Sequence, residues 1–178
     1  MKKILLHVCC GPCATHSIME LQHESFEVAL FFSNSNISPK EEYTKRLNSL
    51  ENYVKKVNVP LILDSYNPDD WFELIKGYED SREGGERCKI CIESRLKRTA
   101  QYAKLHGFKW FTTTLTISPH KNTELINQLG MQLAIELDIN FLTKNFKKRN
   151  GFKRSVIISK EYKLYRQNYC GCLFSLKK

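Results

Sequence analysis

The sequence lacks the long apolar run that a membrane span requires. No apolar stretch in the 178-residue chain approaches the roughly 20 residues that cross a bilayer. The N-terminal stretch MKKILLHVCC has an apolar run too short for a secretory signal, and it has no Ala-x-Ala cleavage site. We therefore expect a cytoplasmic protein that does not associate with membranes.

The sequence also lacks signals for more than one domain and for common redox cofactors. The chain contains no internal repeat, low-complexity tract or obvious linker, so we expect one domain over residues 1–178. No G-x-G-x-x-G follows the first predicted strand, and a Rossmann-type nicotinamide or flavin site is therefore not indicated. Any electron transfer would need another cofactor, because no ordinary side chain supplies electrons readily.

Positive charge is plentiful. Lys and Arg number 28 against 19 Asp and Glu, for a net charge of +9, which favours polyanions such as RNA. A generic solvated basic surface is the alternative. The densest run, KKRNGFKR, supplies the preferred RNA-binding candidates Lys147, Lys148, Arg149, Lys153 and Arg154. Further basic candidates are Arg46, Arg95, Lys97 and Arg98, and possible base-stacking partners are Tyr66, Trp71, Phe152, Tyr165 and Tyr169.

Cysteine is abundant too. The seven cysteines are an odd number in a reducing compartment, so a disulfide framework is not expected. Metal binding or redox chemistry is therefore the leading explanation for them. They fall into three groups: Cys9, Cys10 and Cys13; Cys88 and Cys91; Cys170 and Cys172. The first two groups begin predicted helices, where the partial positive charge favours thiolates.

The spacing of these cysteines leaves the chemistry open. A C-x-x-C motif suits zinc, an iron–sulfur cluster or a dithiol, and thiols from two segments can hold a four-iron cluster. Cys170 and Cys172 can form a strained, reducible bridge, act as extra ligands, or simply pack. Ordinary buried cysteines are the alternative for each group.

Strands and helices alternate along the chain. Strands are predicted at 3–8, 26–32, 60–64, 108–114 and 139–142, and helices from Pro12, at 38–56, 69–76, 88–105 and 121–137, and at 155–162, where a strand is the alternative. Ser38 is the expected N-cap of the second helix, with Glu41 completing a capping box. The pattern predicts an α/β fold, Rossmann-like or HUP-like, with a mostly parallel central sheet flanked by helices. Its metal site should lie at the carboxyl ends of the strands.

Five motifs, in order along the chain, carry a resemblance to a known family. They read HVCCGPC, NISPKEEYTKR, EGGERCKICIESRL, FTTTLTISPHKN and GFKRSVIISKEYKLYRQNYCGC. Together they resemble the QueH-type epoxyqueuosine reductases over nearly the whole chain. The resemblance implies the last step of queuosine synthesis, in which the epoxide oxygen of epoxyqueuosine at the tRNA wobble position is removed without cobalamin.

The resemblance also implies cofactors and their ligands. Family members are similar in carrying a 4Fe-4S cluster with a further metal ion, iron or another divalent metal, close by. On this chain Cys9, Cys10, Cys88 and Cys91 look like the cluster ligands, while Cys13 and Asp64 are candidates for the second metal. Cys170 and Cys172 resemble the family's redox-active dithiol. The expected partners are tRNA carrying epoxyqueuosine and an electron donor of unknown identity.

Two positions depart from the family pattern. Ser38 stands where members often have His, and Asn67 stands where they often have Asp. If that Asp is a metal ligand, its role here moves to another residue such as Asp64. The general acid is expected among Tyr165, His120 and Asp64, whereas His7, within the first strand, is expected to be a core group.

Two other functions fit parts of the sequence. An ATP-pyrophosphatase-type tRNA sulfurtransferase shares the α/β plan, but its S-G-G-x-D-S loop is replaced here by the CCGPC of residues 9–13. A zinc-stabilised RNA-binding module explains the charge and four cysteines but leaves three cysteines without a role.

Overall fold

A five-stranded, entirely parallel sheet forms the centre of the molecule, and its strand order is β3-β2-β1-β4-β5. The computed structural model describes residues 1–176. The strands are β1 (Lys2–His7), β2 (Phe26–Phe32), β3 (Leu61–Leu63), β4 (Trp110–Thr113) and β5 (Asn140–Phe141). The helices are α1 (Gly11–His23), α2 (Lys40–Val57), α3 (Pro68–Leu74), α4 (Glu86–Leu105), α5 (Thr123–Glu136) and α6 (Gly151–Glu161).

Both faces of this sheet are covered, as the continuous apolar runs of its strands require. Alternate residues of β1 point to opposite faces. Leu6 packs in a core with residues of α1 and α2, whereas Leu5 packs with Phe111 and residues of α4 and α5. The predicted α/β class and parallel sheet are confirmed. No helix within residues 1–176 is long and apolar enough to cross a membrane.

The element boundaries follow local signals in most places. The second strand, at 26–32, has the predicted bounds, and the ambiguous segment at 155–162 is helical, as favoured, within α6. Asn122 caps α5 by accepting a hydrogen bond from the backbone N–H of Leu125 at 3.1 Å. Beyond α4, Gly107 takes a left-handed conformation, with φ 77°, as expected for a helix stop.

The predicted cap of α2 is wrong. This helix begins at Lys40, its N-cap position is Pro39, and no side chain caps it. Ser38 is engaged elsewhere: its backbone N–H donates to Gly171 O at 2.8 Å, and its carbonyl accepts from the Tyr169 hydroxyl at 2.7 Å. Tertiary contacts with the end of the chain therefore replace the capping box.

One glycine sets how closely α6 approaches α1. A Cβ atom on Gly151 would lie 1.8 Å from the Phe146 carbonyl oxygen and 2.7 Å from the His16 ring. No larger residue fits there without movement of the backbone. The contact places the start of α6 beside α1, the helix that carries the first cysteine group.

Candidate metal and redox site

Cys9, Cys10 and Cys13, here called the thiol trio, lie where β1 passes into α1. Cys10 is the N-cap residue of α1, and Cys13 falls in the first turn of that helix. Their three sulfur atoms all lie within 4.8 Å of one another, the one such group of potential metal ligands found in residues 1–176. Cys9 Sγ and Cys10 Sγ are 3.8 Å apart. Thiolates on one tetrahedral ion with bonds of about 2.3 Å have nearly this separation.

The position of the trio matches the place where open α/β sheets bind ligands. The chain order reverses between β1 and its neighbour β4, and the crevice beyond these strand ends is the usual site. Cys9 Sγ lies 3.8 Å from the Thr114 hydroxyl, which follows β4. The predicted location at the carboxyl edge is therefore confirmed for the trio.

Hydrogen bonding and burial give thiols of the trio different pKa values. Hydrogen bonding with Cys10 and then with Cys13 lowers the pKa of Cys9 well below its usual value. Burial raises the pKa of Cys10 to about 12. Cys9 is thus the thiol of the trio that is most readily a thiolate, which is the form that binds metals.

Four other cysteines surround a second space, here called the cysteine cavity. Cys88 and Cys91, on the first turns of α4, line it together with Cys170 and Cys172 near the end of the chain. The backbone N–H of Gly84 donates to Cys88 Sγ at 3.2 Å. All seven cysteines are free thiols, so the predicted pairing of Cys170 with Cys172 stays a prediction.

The cavity contains buried polar groups that lack partners. Both amide atoms of Asn36, the indole N–H of Trp71 and Nε of Arg87 have no hydrogen-bond partner in the described chain, and all three residues line the cavity. Leaving such a group unsatisfied costs roughly 1–3 kcal/mol. Thiolate ligands surrounded by N–H donors suit an iron–sulfur group, whose sulfur atoms accept hydrogen bonds. The residues that line the cavity therefore suit the iron–sulfur cofactor that the family resemblance implies.

Arg95 connects the trio and the cavity electrostatically. Its side chain is only 5% exposed. Burial lowers its pKa, but Cys91, Cys170 and Cys9 raise it more, in that order, so the net shift is upward. A permanent positive charge thus lies close to both cysteine sites, where it favours thiolates.

Three arginines expected to bind RNA are instead buried or paired within the protein. The assignment of Arg46 and Arg95 to an RNA surface is wrong, because they are 1% and 5% exposed. Arg98 is committed to a bidentate contact with Asp64, with Nη2 2.8 Å from Oδ1 and Nε 2.9 Å from Oδ2. Of the four secondary basic candidates, Lys97 and Arg98 are exposed, and Lys97 pairs with Glu136 at 3.6 Å.

Four of the five basic residues in the densest basic run are exposed, and Lys147 is not. Lys148, Arg149, Lys153 and Arg154 are exposed and lie in no ion pair within residues 1–176. Lys147 donates instead to the carbonyls of Ser118 at 3.2 Å and Lys121 at 3.0 Å.

The proposed stacking aromatics differ in their availability. Trp71 is 4% exposed, whereas Phe152 is 37% exposed. The Tyr66 hydroxyl donates to Ile37 O, and the Tyr66 ring packs on Tyr43 with centroids 4.0 Å apart. Phe152 is therefore the candidate most open to a base.

Within residues 1–176, none of the three candidate acids hydrogen-bonds to a sulfur of the thiol trio. Burial raises the pKa of Asp64, but hydrogen bonds from Arg98 and Ser33 outweigh it and hold the pKa below its ordinary value. Asp64 is thus a carboxylate at neutral pH, and it could ligate a metal only after Arg98 moves away. The Tyr165 hydroxyl donates to Glu42 Oε2 at 2.7 Å. His120 is exposed.

Lys121 is a cavity residue that sequence reasoning missed. It lines the cysteine cavity, and its ammonium donates to Cys170 Sγ at 3.0 Å. Burial lowers its pKa, but Cys170 raises it more, so the group stays charged. It follows His120 in the SPHKN motif, but nothing in the motif indicates which of the two neighbours turns inward.

The C-terminal segment, residues 164–172, also makes contacts at the site that the sequence does not indicate. Gln167 donates to Cys10 Sγ at 3.0 Å. Arg46 holds the segment by donating to the carbonyls of Tyr169 at 3.1 Å and Cys170 at 3.0 Å, while its Nε donates to Glu42 at 2.7 Å. The segment therefore contacts the trio and the cavity at once.

His7 was correctly expected to be a core group. It is fully buried, and burial followed by the charge of Arg95 lowers its pKa to about 4. Its neutral ring donates from Nε2 to Ser33 O at 3.2 Å and accepts at Nδ1 from the Thr113 hydroxyl at 2.9 Å. This ring joins the ends of β1, β2 and β4 beneath the trio.

Comparisons with known proteins identify relatives over the whole length. The family model described as "Epoxyqueuosine reductase QueH" matches residues 4–178. An epoxyqueuosine reductase QueH of Streptococcus pyogenes serotype M1 is 40% identical, covering 98% of this chain and 70% of the relative. The protein of the same name from Staphylococcus aureus strain Mu50 is 41% identical, covering 97% and 75%. That of Thermotoga maritima is 37% identical, covering 99% and 91%.

Proposed function

The chain belongs to the QueH family of epoxyqueuosine reductases, which are oxidoreductases, and from this premise we propose that it reduces epoxyqueuosine to queuosine in tRNA. The reaction breaks both C–O bonds of the epoxide. It consumes two electrons and two protons, leaves a carbon–carbon double bond, and releases the oxygen as water. The electrons come from a separate low-potential donor. The protein would act in the cytoplasm, where tRNA is modified.

One observation carries this proposal: the buried Arg95 lines the cysteine cavity, and thiols of both the cavity and the trio raise its pKa. We propose that Cys9, Cys10, Cys88 and Cys91 hold a 4Fe-4S cluster and that Cys13 contributes to a neighbouring iron. When bound, these groups would supply electrons and a Lewis acid for the epoxide oxygen. Asn36, Trp71 and Arg87 would donate hydrogen bonds to the bound group.

The surrounding residues would control protons and water. Lys121 is the proton donor that lies in the cysteine cavity, and its charge is maintained beside Cys170. Cys170 and Cys172 border the same cavity, and we propose that they pass electrons as a dithiol. Among the earlier acid candidates, Tyr165 and His120 remain open to test, whereas Asp64 is already ionised.

Family membership also weighs against the two alternatives. A tRNA sulfurtransferase would need an ATP loop where this chain has the trio, and a zinc-bound RNA module would have no use for the cavity thiols. An anaerobic preparation separates the latter directly, since an iron–sulfur protein is brown and a zinc protein is colourless.

The decisive experiment is anaerobic turnover. Iron- and sulfide-reconstituted protein is incubated with a low-potential reductant and tRNA bearing epoxyqueuosine, and nucleosides are analysed by mass spectrometry. We expect the epoxyqueuosine peak to lose one oxygen. A reaction without reductant and a tRNA that already carries queuosine serve as controls. Fully reconstituted protein that leaves the epoxide intact would refute the function.

A further inference from the structure

A basic groove lies between α2 and the chain that follows α6, outside the cysteine sites. Four lysines and two tyrosines, here called the lysine groove, define it: Lys45, Lys55, Lys56, Lys163, Tyr162 and Tyr165. Its volume is about 620 Å³, which is within the roughly 300–1,000 Å³ of typical ligand sites. It is large enough to hold a ribose and its adjoining phosphates.

The charge of this groove is uncompensated. No carboxylate lines it, and within residues 1–176 none of its four lysines lies within 4.0 Å of an acidic group. Three lysines outside the groove, Lys76, Lys97 and Lys104, do each pair with a carboxylate. Concentrated positive charge without a partner is suited to a polyanion.

Aromatic rings hold two of the ammonium groups in place. Lys45 Nζ lies 6.0 Å from the centroid of the Tyr165 ring, and Lys56 Nζ lies 5.7 Å from that of Tyr162. The Tyr162 ring is in turn packed edge-on against Tyr53 at 5.0 Å. Because these lysines are already ordered, binding a phosphate costs less side-chain entropy than it would for free lysines.

The groove borders the thiol trio through one glycine. A Cβ on Gly11, the residue after Cys10, would lie 3.3 Å from Ser49 Oγ and 3.6 Å from a Leu164 methyl carbon, and both of these residues line the groove. Tyr165 N–H donates to Ser49 Oγ at 3.0 Å, and Gln167, two residues on, donates to Cys10 Sγ at 3.0 Å. The groove and the trio are therefore joined by a short chain of direct contacts.

We propose that the lysine groove binds the ribose–phosphate backbone of RNA next to the nucleotide whose base enters the thiol site. This inference rests on the proposed function, because it takes its substrate from that reaction. The exposed amides of Asn48 and Asn52, which also line the groove, supply hydrogen bonds to phosphate or 2′-hydroxyl oxygens. Contacts of this kind position the RNA without reading its sequence.

Salt dependence of RNA binding tests the proposal. Three groove lysines are neutralised together in K45Q/K55Q/K163Q, and the affinity for an unmodified anticodon stem–loop is measured by fluorescence anisotropy at several salt concentrations. The slope of log K against log salt should decrease in magnitude by about 2, since each single-strand phosphate contact contributes about 0.7. Affinity near 0.1 M salt should fall at least tenfold.

Two matched variants separate contact from net charge. K3Q/K104Q/K109Q removes the same charge from exposed lysines near the amino ends of β1 and β4, and it should keep the wild-type slope. K45R/K55R/K163R keeps the charge and should also keep the slope, which shows that the groove itself tolerates substitution. Circular dichroism melting checks that all three variants fold.

The outcomes distinguish this inference from the proposed reaction. A groove variant that binds RNA like K3Q/K104Q/K109Q, while the wild type reduces epoxyqueuosine, overturns the groove and leaves the reaction standing. A groove variant that loses RNA binding, with a wild type that never reduces the epoxide, overturns the reaction and leaves the groove standing.

Discussion

The thiol trio and the cysteine cavity are assembled from the chain in different ways. The trio comes from five consecutive residues at one strand end and the first turn of α1, and its sulfur atoms already lie together. The cavity draws on α4 and on a segment about 80 residues later, and several of its polar atoms lack partners in the described chain. A local site is fixed by backbone geometry, whereas the cavity depends on packing between distant segments.

The largest expected effect tests whether the two sites act as one. We expect C10A and C88A each to lower bound iron more than tenfold, because loss of a metal ligand costs at least as much as loss of a supporting residue. Iron and sulfide per chain, measured after anaerobic reconstitution, check this. C172A should keep its iron, which makes it a control for cysteine loss within the cavity. If C10A and C88A each lost only a separate fraction of the iron, the two sites would bind independent groups.

A smaller effect should reach the cavity more strongly than the trio. R46M removes the guanidinium that holds Tyr169, Cys170 and Glu42, and breaking a buried pair costs about 3–5 kcal/mol. Chemical unfolding gives the loss, and mass-spectrometric mapping with an alkylating reagent gives the reactivity of each thiol. Cys170 and Cys172 should react faster, and the rate of Cys13 should change less.

The double variant R46M/E42Q provides the control for this measurement. It removes the carboxylate left unpaired in the buried site, so part of the lost stability should return. Faster alkylation should persist, because the tie to the C-terminal segment is still missing. Equal acceleration at Cys13 would contradict the expectation that loss of Arg46 exposes the cavity thiols more than the trio.

The smallest effect concerns the helix that bears the trio. Burial, partly opposed by Glu20 and reinforced by Arg154, lowers the pKa of His16 from its ordinary value of 6.5. Protonation therefore favours the unfolded chain: the contribution is fully present above pH 6.5 and is lost as the pH falls toward the lowered value. H16Q should flatten the pH dependence of the unfolding free energy below that pH. H23Q, an exposed position on the same helix, should behave like the wild type.

Local sequence signals predicted the fold and the trio well. The apolar runs of β1 and β2 and the C-x-x-C at the start of α4 lie where expected, because strand pattern and helix-start preferences act over a few residues. The cap at Ser38 failed since contacts with Tyr169 and Gly171, more than 100 residues away, took its backbone groups. No spacing rule reports contacts of that kind.

The functional side chains divide in the same way. Basic character alone suggested that Arg46, Arg95 and Arg98 bind RNA, but their burial or pairing depends on partners from other segments. Lys121 and Gln167 reach sulfur atoms through the tertiary fold, and neither stands in a pattern that indicates such a contact. The sequence likewise does not predict the lysine groove, because α2 and the chain after α6 come together only in the folded protein.

The contact of Gln167 with Cys10 bears on when the proposed iron could enter. Synthesis proceeds from the N-terminus at about 5–20 residues per second, so roughly 150 residues separating the two would take about 8 to 30 s to make. During that interval the early thiols emerge from the ribosome without the segment that later lies over them. We therefore expect oxygen to damage the nascent chain more readily than the finished protein, and metal delivery to be a late event in its biogenesis.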